Sequence, residues 1–282
     1  MPIQPRENQI KLQALYAQFA ENYALGDALV FLALDEDEQA KQDVIQSQIE
    51  SLSVGLHLPY PHDILDSVCR LNDHFVGKLG FTGNTEEYFH PHNSLVHKVI
   101  ENRTGLPIVL SAIYMEIAKK HGVDLVGIGF PRHFIIRPKN LTSNPFYIDP
   151  FHQGTIITED TLQEMHHNWN ISLPFAHCIQ ECSTHRMVLR MSNNLYNAYN
   201  LLDDHTGRLR NINRLLLLQP HVTELYKTRA CALGKLGHYE KAAEALQCYI
   251  HFHPEASDIQ ESIQILQMLY DVLRQGCPSS RV

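Results

Sequence analysis

No stretch of this 282-residue chain approaches the roughly 18 consecutive apolar residues of a membrane-spanning helix. The longest apolar runs, around Leu106–Tyr114 and Leu215–Leu218, are far shorter, so no membrane partner is expected. Basic charge is scarce too: 23 Lys and Arg stand against 31 Asp and Glu, a formal net charge of −8. Holding a phosphate backbone requires a basic footprint, so direct nucleic-acid binding is not expected. Cysteine is thin, with six residues at positions 69, 178, 182, 231, 248 and 277. A disulfide scaffold is short and cysteine-dense, so reduced thiols are the expectation. The opening MPIQPRENQIK lacks a basic region followed by an apolar one, which argues against a cleaved signal peptide and for a cytoplasmic protein. The apolar fraction, 44%, is ordinary for a globular chain, and the length suits two domains.

Histidine is plentiful, with eighteen residues, several in short clusters such as His90/His92, His166/His167 and His251/His253. Most read as surface groups. The segment His177-Cys178-x3-Cys182-x2-His185 could place Cys178, Cys182 and His185 on one helix face, where zinc is sterically conceivable. The spacing is not a C-x2-C pair and no second pair follows, so both cysteines read as small core hydrophobes and no metal or other cofactor is expected.

The first 75 residues read as helical. Leu12, Leu15, Tyr16 and Phe19 share one helix face, as do Leu65, Val68, Leu71 and Phe75. The acidic stretch Asp35–Glu38 suits the first turn of a helix after it. Gly77–Asn93 reads as an ordered loop, and Ser94 is placed to cap a helix ending near Asn102. Pro107 fits the first turn of a strongly apolar helix that Gly122 stops. The period then changes: Asp124–Phe130, His133–Arg137 and Pro145–Ile148 are short β-type runs, and Thr158–Met165 a short helix. Three strands after a buried helix predict an α+β domain with the sheet packed on that helix.

Beyond Pro174 no strand signal returns. Pro220 and Pro254, 34 residues apart, each close a helix pair. Tyr226, Ala230, Leu233, Gly237, Tyr239, Ala242 and Leu246 follow the tetratricopeptide pattern well, while Leu195, Tyr196, Tyr199, Ile212 and Leu215 follow it loosely. Ser257–Leu273 would be a closing helix. The expected domains are residues 1–176 and 177–282.

Chemistry concentrates between Arg103 and Pro150. Papain-type enzymes open a buried helix with a cysteine, whose thiolate the helix dipole and an imidazole stabilise. The imidazole comes from a strand, and a carboxylate or amide of the next strand orients it. Here His133 and Asp149 fill two of those three roles, in that order.

The motifs Leu79-Gly-Phe81-x-Gly-Asn84, Tyr88-x3-His92-Asn93-Ser94, Arg103-x-Gly105-x-Pro107-Ile108, Gly127-x-Gly129-Phe130-Pro131-x-His133-Phe134 and Ile148-Asp149-Pro150-Phe151-x2-Gly154 make the chain resemble the transglutaminase-like fold. The likeness is to a bacterial family of unassigned function that joins such a domain to C-terminal tetratricopeptide repeats, and it covers residues 30–275. It implies a papain-like transglutaminase core: a buried helix on an antiparallel sheet, preceded by helices and followed by an all-α repeat domain. Active transglutaminases carry their cysteine two residues after a glycine; here Gly105 is followed at that spot by Pro107, fifteen residues before Gly122. The resemblance thus implies the fold without acyl-transfer chemistry, and a vestigial His133–Asp149 pair. Arg132 departs from the family, which usually has glycine between the positions of Pro131 and His133.

The expected function is a non-catalytic module that binds a protein or peptide, in a cleft around Asn93, Arg103, Arg132 and Tyr147 or in the repeat groove. Arg103 either lines that cleft or ties down the Gly77–Asn93 loop. The competing expectation is an amide hydrolase or transferase with His133 as general base oriented by Asp149. Ser111, one helical turn past Pro107, is a poor substitute nucleophile.

Overall fold

The computed structural model describes residues 23–58, 63–141 and 144–275. The helix face of Leu12 to Phe19 lies outside these residues, as does Cys277. The chain divides into two compact units, Met1–Met191 and Ser192–Val282.

Helices α1 (Leu25–Glu36), α2 (Gln42–Ser51) and α3 (Ile64–Asn72) open the first unit, and α3 runs on into a π-helical turn, Asp73–Lys78. The acidic stretch does not begin a helix. Asp35 and Glu36 end α1, and Asp37 is its C-cap, where the helix dipole disfavours a carboxylate. His97, on α4 (Val96–Asn102), supplies the compensation: its Nε2 lies 3.1 Å from Asp37 Oδ2. Ser94 is buried in a 3-10 turn, Pro91–Ser94, and does not cap α4, whose N-cap is Leu95.

Strand β1 (Thr82–Gly83) pairs in parallel with β2 (Thr104–Gly105), tying the Gly77–Asn93 loop to the segment that leads into α5 (Pro107–Lys120). Pro107 occupies the first turn of α5, where a missing N–H costs nothing. The helix is buried along most of its length, from Pro107 through Tyr114.

The sheet has five antiparallel strands in the order β6-β5-β4-β3-β7. β3 is Leu125–Ile128, β4 Ile135–Pro138 and β5 Phe146–Asp149, close to the three expected runs. Two edge strands extend it: β6 (Thr155–Thr158) and β7 (Glu181–Cys182). β6 turns only one residue inward and β7 is two residues long, so neither shows the alternation that marks a strand in sequence. Helix α5 packs on β3 and β4. Ile128, Ile135, Tyr147 and Ile157 share a core with Leu162 and Met165 of α6 (Glu159–Asn168). Strand alternation leaves Ile136 and Ile148, paired across β4 and β5, to the other face.

Cys178 ends the short helix α7 (Phe175–Cys178) and Cys182 lies on β7, so residues 178–185 are not one helix and the Cys178/Cys182/His185 face does not form. Cys178 is a buried member of the sheet core. Because β7 pairs with β3, residues 177–191 pack with the first unit, and the division falls later than expected.

Helix α8 (Thr184–Leu201) runs across the division. α9 (His205–Leu218), α10 (Leu225–Lys235), α11 (Tyr239–Phe252) and α12 (Ile259–Arg274) follow, each packed on the next. Ala230, Leu233, Ala242, Ala245 and Leu246 form their buried centre, flanked by Tyr226, Ile265 and Leu269. Small residues there allow close helix approach, as the repeat pattern predicts. No helix among the described residues is long and apolar enough to cross a membrane.

Candidate functional site

The site is built on a turn and a strand end. Phe130-Pro131-Arg132-His133 is a tight turn closed by His133 N–H donating to Phe130 O at 3.0 Å. Proline at its second position and φ +64° at Arg132, its third, are the features of a type II turn. His133 therefore stands just ahead of β4 rather than on it. Asp149 ends β5 and caps the 3-10 turn Pro150–His152, its Oδ1 accepting from the backbone N–H groups of Phe151 (3.1 Å) and His152 (3.2 Å).

These two elements bring His133 and Asp149 together. His133 Nε2 lies 2.6 Å from Asp149 Oδ2, with both side chains nearly buried. A third group joins them: His152 Nδ1 lies 2.7 Å from the same oxygen, on a side chain 62% exposed. Burial pushes the Asp149 carboxyl upward, but the hydrogen bonds and charges of His133 and His152 outweigh it and hold the group below the ordinary carboxylate range. An ionised Asp149 only accepts, so Nε2 of His133 carries a proton toward it, and in the neutral ring Nδ1 holds the lone pair. His133 Nδ1 makes no hydrogen bond among the described residues.

The surroundings fix this pair. Gly83 of β1 lies under the Phe151 ring; a Cβ there would sit 2.5 Å from Cδ2. Phe151 in turn meets the His133 ring, at 6.2 Å between centroids, and the Tyr88 ring at 6.0 Å. Behind Asp149, Asn72 donates to Gly154 O at 2.8 Å and accepts from the Tyr114 hydroxyl at 2.9 Å, so α3, α5 and the turn after β5 are bound together.

The expected cleft residues divide. Arg132 is exposed and has no ion pair among the described residues. Asn93 is 3% exposed, and its amide is already committed: Nδ2 donates to Glu87 O (2.6 Å) and Tyr88 O (3.1 Å), while Oδ1 accepts from Asn84 (3.1 Å). It holds the loop and has little left for a ligand. Tyr147 is 2% exposed in the core beneath α6, so it lines no cleft, because strand alternation turns it to the sheet's packed face. Arg103 ends α4 at φ +59°, and its guanidinium lies 4.9 Å from the centroid of Phe81. With Arg103 O accepting from Thr82 N–H, it ties the loop down by stacking and backbone pairing rather than by paired side-chain bonds.

Pro107 offers neither a nucleophilic atom nor an N–H at the start of α5. Ser111 cannot replace it: the residue is fully buried and its Oγ has no hydrogen-bond partner. His133, Asp149 and His152 are the cluster best placed for a metal among the described residues, with ligand atoms within 4.8 Å of one another. Their 2.6–2.7 Å contacts are shorter than the about 3.3 Å that tetrahedral zinc ligands keep, so the geometry is that of a proton-bridged network.

Two residues of the site were not expected from sequence. His152 had a local signal, three residues after Asp149 in a turn. Arg190, on α8, had none: it donates from Nη1 to Phe130 O at 3.3 Å and reaches the site only through the fold.

Residues 36–193 match the transglutaminase-like superfamily, and residues 196–267 match the tetratricopeptide repeat. A UPF0162 protein of Xylella fastidiosa is 28% identical over 226 residues, covering 78% of this chain and 77% of its own length. A UPF0162 protein of Vibrio cholerae is 34% identical over 89 residues, 32% of this chain and 33% of that protein. Human F-box only protein 21 is 33% identical over 113 residues, 38% of this chain and 18% of that protein. No solved structure matches the chain.

Proposed function

The chain belongs to the transglutaminase-like superfamily, and from that premise we propose that its first unit binds a protein or peptide segment without cleaving it. One observation carries the reading: a complete imidazole–carboxylate pair at 2.6 Å accompanies a proline, Pro107, at the start of the buried helix, where the resemblance to active transglutaminases calls for a cysteine. Acyl transfer needs a nucleophile and a donor for the developing oxyanion; Pro107 supplies neither a thiol nor an N–H. His133 Nδ1 and the exposed Arg132 offer an acceptor and a cation to an extended peptide. Tetratricopeptide repeats as a class mediate protein interaction, so the second unit suits an adaptor or regulator. The proposed setting is cytoplasmic, with neither nucleic acid nor membrane as the direct partner.

A second reading, an amide hydrolase or transferase in which His133 activates water, draws support from the intact His133–Asp149 bond. A proteome pull-down with wild type beside His133→Ala and Arg132→Gly separates binding from relic, once both variants are shown to be folded by cooperative melting. Partners captured by the wild type and lost in the variants support the cleft. Partners kept by both variants contradict it and point to the repeats.

A further inference from the structure

Arg190 is a half-buried cation with no carboxylate partner among the described residues. Its hydrogen bond to Phe130 O uses Nη1, and its guanidinium lies 5.6 Å from the Phe134 ring centroid. Among the described residues Nε and Nη2 make no hydrogen bond, and neither atom is fully shielded from solvent. The charges that reach it are no carboxylates: only the Cys182 thiol and the Tyr88 hydroxyl act on it. Burial holds the guanidinium below its ordinary pKa, the mark of a cation partly stripped of water without an anion in return.

Arg190 is joined to His133 by two routes. Phe130 O accepts from both Arg190 Nη1 and His133 N–H, so cation and imidazole hang on one turn. The Tyr88 hydroxyl feels the Arg190 charge, and the Tyr88 ring leads through Phe151 to His133. The free Nε–Nη2 edge is the side of a guanidinium that a single carboxylate meets with two parallel hydrogen bonds. One singly charged fork beside the Phe134 ring matches a carboxylate better than a phosphate, which would call for further donors.

We infer that Arg190 anchors a carboxylate of the bound peptide through Nε and Nη2, beside His133. The inference rests on reading the cleft as a peptide site. The carboxylate can be the peptide's own C-terminus or an Asp or Glu side chain, and the test separates them.

The full-length protein is immobilised and offered N-acetylated hexapeptide pools randomised over residues other than Asp and Glu. One pool ends in a free carboxylate, a second in an amide, and a third is amidated with a single Glu inserted. The wild type is expected to hold a carboxylate-bearing pool about tenfold or more tighter than the neutral one. Preference for the first pool identifies a C-terminus; preference for the third identifies a side chain. Arg190→Gln removes the advantage, and Arg190→Lys, which keeps charge but loses the fork, recovers only part of it. An advantage that survives in a folded Arg190→Gln protein overturns the assignment. Equal retention of all three pools by the wild type overturns it too, whatever the variants do to folding, while leaving the peptide cleft standing. Retention of none overturns both.

Discussion

Arg132 carries φ +64° at the turn position that favours glycine, and an L side chain there costs roughly 1–2 kcal/mol of backbone energy. Glycine relieves that strain but gains freedom in the unfolded chain, so Arg132→Gly is expected to raise stability by at most about 1 kcal/mol. A small upward shift in the thermal midpoint checks this. Asp149 accepts two backbone and two imidazole hydrogen bonds. Asp149→Ala leaves those donors unmet and should cost about 2–4 kcal/mol in urea unfolding. Because its folded pKa lies below the ordinary 3.8, the stability it contributes is full above about pH 4 and is lost as pH falls through the lowered value. Asp149→Asn should flatten that acid limb. His97 works in a higher window: burial lowers its pKa against the pull of Asp37, and its buried Nδ1 has no partner. Its neutral form is favoured on folding, so the stability it gives is present above about pH 6.5 and is lost as pH falls toward the lowered folded value. His97→Gln should lose less stability than wild type over that descent.

At the scale of elements, local signals predicted local structure. Pro107, the apolar run after it and Gly122 marked the buried helix, and three strands were legible from β-type runs. The edges β6 and β7 were not: β6 turns only one residue inward, and the pairing of β7 is set by neighbours 53–55 residues away rather than by its own pattern. His133 was expected on a strand but sits in the turn before one, which the Pro131–Arg132 pair decides. Tyr147 and Asn93 were misjudged for two reasons that proximity to a motif does not reveal: strand alternation turns Tyr147 into the core, and the Asn93 amide is already committed to the loop. Gly154 was legible within its motif and has a sharp physical role. It sits at φ +71°, and a Cβ there would lie 2.2 Å from Asn72 Oδ1. Gly154→Ala should therefore destabilise by about 2–3 kcal/mol and loosen the turn that Asp149 caps, visible as a lowered denaturation midpoint.

At the scale of the whole molecule, the α+β core and the helical repeats were both legible, since each rests on periodicity and spacing over tens of residues. The division between them was placed too early, because residues 177–191 carry helix-like composition while β7 draws them to the sheet. Arg190 lies in that misassigned stretch, 57 residues from His133 in sequence yet bound to the same turn, and only the fold brings the two together. As proposed, the cleft beside His133 holds a peptide and returns it unchanged. The most direct test incubates full-length protein with glutamine-bearing peptide pools, in the presence and absence of a primary amine. Mass spectrometry then follows what is retained and what is released. Retention is expected with the wild type but not with a folded His133→Ala protein, and every peptide should be recovered at its original mass. Deamidated, cleaved or amine-coupled peptide, formed by the wild type and absent with His133→Ala, would contradict it.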